Sequence, residues 1–228
     1  MSALTSGANA SIVLGTTRLI YNAEEVEETL QIRNPDNLPK LIQAWIDTGE
    51  KYAKPDLIDA PFQILPPVFK ISEGKGQALR ILALPNSLPK DRESVFWLNV
   101  LEVPPRPDKA ENENYVQFAL RTRIKIFYRP SKLQGLANNA GEKLEWLTIN
   151  NSLIVNNPTP YYISINSAKI LNSKEKKWKS LSIDMIPPFS KKQLKSHKIS
   201  TFPNQKIEFS YIDDLGAIRN SSSVIQHQ

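Results

Sequence analysis

The stretch VQFALRTRIKIFYRP, Val116 to Pro130, alternates two kinds of side chain with a period of two. Its even positions are Val116, Phe118, Leu120, Thr122, Ile124, Ile126 and Tyr128; its odd positions are Gln117, Ala119, Arg121, Arg123, Lys125 and Phe127. Successive residues of a strand point to opposite faces, so one face of this segment is apolar along its length, as a core-facing strand requires. At about 3.3 Å per residue, Val116 to Tyr128 spans roughly 40 Å, about twice a usual strand. The excess has two readings. The far half packs in the protein's own core, or it is an apolar edge kept for a partner that adds to the sheet, since a long bare edge otherwise invites aggregation.

Working outward, the same period of two marks SIVLGTTRLIY, EETLQIRN, LIQAWID, FQILPPVFKI, QALRILAL and SVFWLNVLEV, separated by the turn signals NPDN, SEGKG and LPKD. Seven short strands in about 120 residues fit an antiparallel sandwich of immunoglobulin type. After Pro130 a polar stretch, SKLQGLANNAGEKL, leads to a second β-rich series: EWLTINN, SLIVNN, YYISINSAKIL, WKSLSIDMI, KKQLKSHKI and KIEFSYIDD. The expected organisation is all-β, with one domain over 11–130 and a second, smaller sandwich over 131–228. Residues 1–10 are read as the tail of a signal peptide, because Ala8-Asn9-Ala10 has the small-residue pattern of a cleavage site.

The chain has 228 residues, 29 Lys and Arg against 23 Asp and Glu, and no cysteine. Absence of cysteine excludes a disulfide framework and a thiol nucleophile. No apolar run reaches the roughly 18 to 20 residues of a membrane-spanning helix, so the protein is not expected to be membrane-embedded. The formal charge of +6 suits an anionic partner or simple solubility. Eight lysines between Lys174 and Lys198 leave open a secreted basic sandwich that binds nucleic acid or an anionic glycan. Only Trp178 and Phe189 lie among them, so a solvated edge is the favoured account and nucleic acid is not an expected partner. His197 and His227 have no ligand spacing around them, and no nucleophile or phosphate-cradling motif occurs. The expectation is a protein without catalytic residues, metal or cofactor.

LPKDRESVFWLNVLEVPP, Leu88 to Pro105, resembles the signature of periplasmic pilus-assembly chaperones of the PapD type, and RIKIFYRP, LPKLIQAWID, PPVFKISEGK and NPTPYYISI resemble further segments of that family, in order through both domains. The resemblance implies two immunoglobulin-like β-sandwich domains arranged at an angle with a cleft between them. It also implies a long strand lent to a pilus subunit that lacks its own last strand. By motif position Arg18 and Lys125 match the cations that grip the subunit's C-terminal carboxylate, and Val116, Phe118 and Leu120 match the side chains inserted into the subunit's groove. Glu93, Arg129 and Asp214 match an ion network at the domain junction. With cleavage after Ala10, Arg18 becomes the eighth residue, where the family keeps its arginine. The short connection RPDKAENEN, Arg106 to Asn114, resembles the short-loop subclass. The expected setting is the periplasm and the expected partners are pilus subunits and an outer-membrane usher, with self-capping of the exposed strand when the chaperone is free.

Overall fold

The computed structural model describes residues 11–50, 60–105, 116–150, 152–172, 177–194 and 205–227. The signal-peptide reading, the Arg106–Asn114 connection and the lysines at 174, 176, 195 and 198 lie outside them. The chain divides into two compact units, with breaks at Ser87/Leu88, Ser94/Val95 and Ile126/Phe127.

In the first unit the strands are β1 (Val13–Leu14), β2 (Arg18–Asn22), β3 (Glu27–Arg33), β4 (Lys40–Asp47), β5 (Phe62–Leu65), β6 (Val68–Ile71) and β7 (Gly76–Ala83), with most of β8 (Ser94–Val103) and β9 (Leu120–Arg129). They form a four-stranded sheet, β1-β3-β7-β5, and a five-stranded sheet, β2-β9-β8-β4-β6. The sheets bury their inner faces against each other. Phe62 on β5 meets Phe96 on β8 edge to face at 5.0 Å and Tyr21 on β2 at 5.5 Å. Such offset geometry suits the charge distribution of the rings. Leu79, Ile81, Leu98, Val100 and Ile126 are fully buried around them.

The second unit opens with a one-turn helix, Ala137–Ala140, and a 3-10 turn, Gly141–Lys143. Its strands are β10 (Glu145–Ile149), β11 (Ser152–Asn157), β12 (Ser164–Asn172), β13 (Lys177–Leu181), β14 (Ser190–Gln193), β15 (Lys206–Ile212), β16 (Ile218–Val224) and β17 (Gln226–His227). Two sheets, β14-β11-β10-β17 and β13-β12-β15-β16, pack through Trp146 and Phe209, whose ring centroids are 5.3 Å apart. Each unit is therefore a β-sandwich, as the alternation predicts.

Three expectations need correction. The long strand is paired over Leu120–Arg129 only, and it runs inside the sheet between β2 and β8 instead of along an edge. Its ladder stops because β8 ends at Val103 and is followed by Pro104 and Pro105, which carry no N–H donor. There a side chain replaces the ladder: Gln117 Nε2 donates to the Pro104 carbonyl at 2.6 Å. The first segment, SIVLGTTRLIY, is two strands in different sheets, because the chain crosses over at Gly15, whose N–H donates to the Gln31 carbonyl. FQILPPVFKI likewise divides at Pro66 and Pro67 into β5 and β6, which belong to opposite sheets.

Candidate functional site

The five-stranded sheet places the predicted cations. On β2, Leu19 and Tyr21 are buried in the unit's core, so Arg18 and Ile20 occupy the opposite face. On β9, Ile124 and Ile126 are buried in that core, so Arg123 and Lys125 occupy the opposite face. Since β2 and β9 are hydrogen-bonded neighbours, Arg18 and Lys125 stand on adjacent strands of one face. Arg18 is only 8% exposed, and Lys125 is half-buried. Thr16 closes the turn before Arg18, its Oγ1 donating to the Arg18 carbonyl at 2.6 Å.

The three predicted groove contacts lie at and just before the first residue of β9. Val116, Phe118 and Leu120 are 78%, 73% and 52% exposed, yet they share the parity of the buried Ile124 and Ile126. Along the chain, the apolar positions of this parity are buried at Ile124 and Ile126 and exposed at and before the first residue of β9. Because β2 has five residues and β9 has ten, at least half of the β2-facing side of β9 has no ladder partner in β2. The exposed row borders a recess of about 360 Å³, lined also by Leu38, Lys40, Glu102 and Pro105.

Glu93, Arg129 and Asp214 all fall in the second unit, where they form one network. Arg129 Nε donates to Glu93 Oε1 at 2.7 Å, and its two terminal nitrogens donate to the two Asp214 carboxylate oxygens at 2.8 Å. Glu93 is also pinned by backbone: its Oε2 accepts from the Tyr162 N–H at 2.8 Å. Burial pushes the Glu93 carboxyl above its ordinary value, against the pull of Arg129 and the Tyr162 N–H. The guanidinium also lies 5.4 Å from the Tyr161 ring centroid.

Two clusters escaped sequence reasoning. Asp47, buried on β4, accepts from Asn99 Nδ2 and the Gly49 N–H at 2.7 Å each and pairs with Arg123, whose guanidinium stacks 4.9 Å over Trp97. Arg123 is thus accounted for within the sheet face. Glu102 accepts from the Ile12 N–H at 2.9 Å and from Ser11 Oγ at 2.8 Å, and pairs with Lys40 at 3.3 Å. The available signal was parity: Glu102 follows Phe96, Leu98 and Val100, and Lys40 precedes Ile42, Ala44 and Ile46, so both charges sit at core-facing positions. Among the described residues no group of three acidic or histidine side chains is placed to hold a metal, and no helix is long and apolar enough to cross a membrane.

Comparison with known proteins gives the same outline. Residues 11–134 match the family model described as pili and flagellar-assembly chaperone, PapD N-terminal domain, and residues 139–223 match pili assembly chaperone PapD, C-terminal domain. The chain is 41% identical over 222 residues to the probable fimbrial chaperone YadV of Escherichia coli, covering 94% of this chain and 89% of that protein. The crystal structure of YadV aligns with a TM-score of 0.78 over 93% of this chain and 98% of that one. A Bordetella pertussis chaperone protein, FimB/FhaD, is 37% identical over 227 residues, 96% of this chain and 89% of that protein. A Salmonella enterica structure of the SafA pilin in complex with the SafB chaperone aligns at 28% identity with a TM-score of 0.78, over 94% of this chain and 96% of the other.

Proposed function

Because the chain belongs to the PapD-type family of pili assembly chaperones, we propose that it captures pilus subunits in the periplasm by lending them the apolar row of Val116, Phe118 and Leu120. The observation that carries this reading is the exposure of that row: three hydrophobic side chains that face water precede or begin, at the same sequence parity, a strand whose other end is buried. A subunit with an unfilled groove would take those side chains in place of its own missing strand and pair with the open side of β9. Full burial of each contributes on the order of 1.5 to 3 kcal/mol. Arg18 and Lys125 grip the subunit's terminal carboxylate, which fixes the register of the added strand. Binding and release complete the cycle, and neither needs a catalytic group, nucleotide or metal.

Delivery to an outer-membrane usher requires a surface the subunit leaves bare. The face of the five-stranded sheet turned from the core offers one on its far side: Leu41 and Val68 are exposed, and Leu41 stands opposite Val103 on β8 and Lys70 on β6. The Glu93–Arg129–Asp214 network serves to hold geometry in this reading. A buried carboxylate and guanidinium set is a weak source of net stability.

The test is affinity purification of the tagged chain from periplasm, beside Arg18→Ala with Lys125→Ala, with mass spectrometry of the proteins retained. Small β-rich subunits held by the wild type and lost from the double variant are expected. The same subunits on both would remove the carboxylate anchor, and retention unchanged by Phe118→Ser as well would remove the lent strand.

A further inference from the structure

We propose that the second unit carries a separate docking groove for an acidic peptide segment with apolar side chains, between the start of that unit and the loop Pro158–Tyr161. The groove has a volume of about 540 Å³, within the range of formed ligand sites. Two large hydrophobic side chains line it while facing water: Leu136, 71% exposed, and Phe189, 48% exposed. Scattered exposed hydrophobics are ordinary, but these two belong to the lining of one recess. Phe189 is moreover held at a φ of 48°, a backbone conformation a side chain with a Cβ adopts only when its surroundings impose it.

The walls are built in advance. Asn157, fully buried, donates through Nδ2 to the Tyr161 and Pro187 carbonyls at 2.7 and 2.8 Å. Its Oδ1 accepts from the Thr159 N–H at 3.0 Å, so the Pro158-Thr159-Pro160 wall is tied to one internal side chain. Opposite, Tyr161 Oη donates to the Gly135 carbonyl at 3.0 Å and fixes the turn that presents Leu136. A preformed groove loses little conformational freedom on binding.

Charge selects the occupant. Lys132 and Lys143 are exposed at the groove, and neither has an acidic partner among the described residues. Lys143 Nζ would lie only 3.5 Å from a Cβ at Gly135, so its ammonium rests directly on the groove wall. The one acid of the lining, Asp91, is already engaged by Arg92 at 2.7 Å, and that guanidinium in turn sits 5.1 Å from the Phe189 ring centroid. Two lysines in one lining with leucine and phenylalanine complement a segment that carries both carboxylates and hydrocarbon. A polyanion such as nucleic acid needs a continuous cationic track. None of these residues belongs to the subunit-binding strand or its cation pair, so this site and the chaperone reading can fail independently.

The test uses the full chain and a fluorescein-labelled decapeptide alternating Glu with Leu and Phe, with anisotropy as the readout. Saturable binding is expected, weakened about tenfold when Gln replaces Glu and about tenfold by Lys132→Glu with Lys143→Glu. Phe189→Gly is expected to weaken it at least fivefold while leaving the melting temperature unchanged or higher, because glycine adopts a positive φ without steric cost. Absence of saturable binding would overturn the proposal. So would binding that Phe189→Gly and Leu136→Ser leave unchanged, or complete displacement by an equal concentration of single-stranded oligonucleotide or anionic lipid vesicles.

Discussion

Glu93 is a carboxyl group enclosed by the fold. Held at 3% exposure with its carboxyl pushed up by burial, it binds a proton more readily in the folded chain than in the unfolded one. The stability this supplies is complete below the unfolded value near 4.5 and is lost as pH rises through the higher folded value. Glu93→Gln is therefore expected to flatten the pH dependence of unfolding above about 4.5, measured by thermal melts across that range beside the wild type. Removing the partner is a harsher change. Arg129→Met leaves the carboxylate buried without its guanidinium and is expected to cost about 3 to 5 kcal/mol, read from chemical denaturation. At Gly141 the limit is space: an added Cβ would stand 2.5 Å from the Tyr211 ring, so Gly141→Ala is expected to destabilise the second unit by about 1 to 3 kcal/mol.

Within one element, β9 with the residues before it, position along the strand decides what a substitution does. Ile126 is fully buried, so Ile126→Ala is expected to cost about 2 to 5 kcal/mol of folding stability. Phe118→Ser, eight residues earlier and in the same phase, is expected to change stability by less than about 0.5 kcal/mol while reducing the pilus subunit retained on purification. Denaturation curves and pull-down yields on the same preparations separate the two effects. The alternation of RTRIKI was enough to assign the faces of β9 around Ile124 and Ile126, since burial of one face is what a period of two encodes. Where pairing stops could not be read there, because it depends on two prolines at the end of a different strand. The strand β16 escaped for another reason. IRNSSSV has no apolar face to announce it and is held as an edge by its ladder with β15, from Lys206↔Val224 to Ile212↔Ile218.

Across the whole molecule, two sandwiches without a cysteine are built around packed interiors with no disulfide: Trp146, Ile170 and Ile207 fill one, and Leu30, Ile42 and Leu98 fill the other. Motif position singled out Arg18 and Lys125, which stand on adjacent strands of one face, whereas the Asp47 and Glu102 clusters needed the fold, since their partners come from strands far apart in sequence. Three bare hydrophobic side chains on a free protein also predict self-association. Light scattering of the purified chain should show mass rising with concentration, and Phe118→Asp should abolish that rise. The apolar row has a last consequence. Its inner end is locked in the core, so the outer end inherits its phase from the same two-residue ruler. Inserting one residue between Leu120 and Arg121, at the start of β9, is expected to turn Gln117 and Ala119 to the offered face while the buried end of β9 keeps its place, and inserting two is expected to restore it. Length changes in this segment are thus compatible with capture only in even steps.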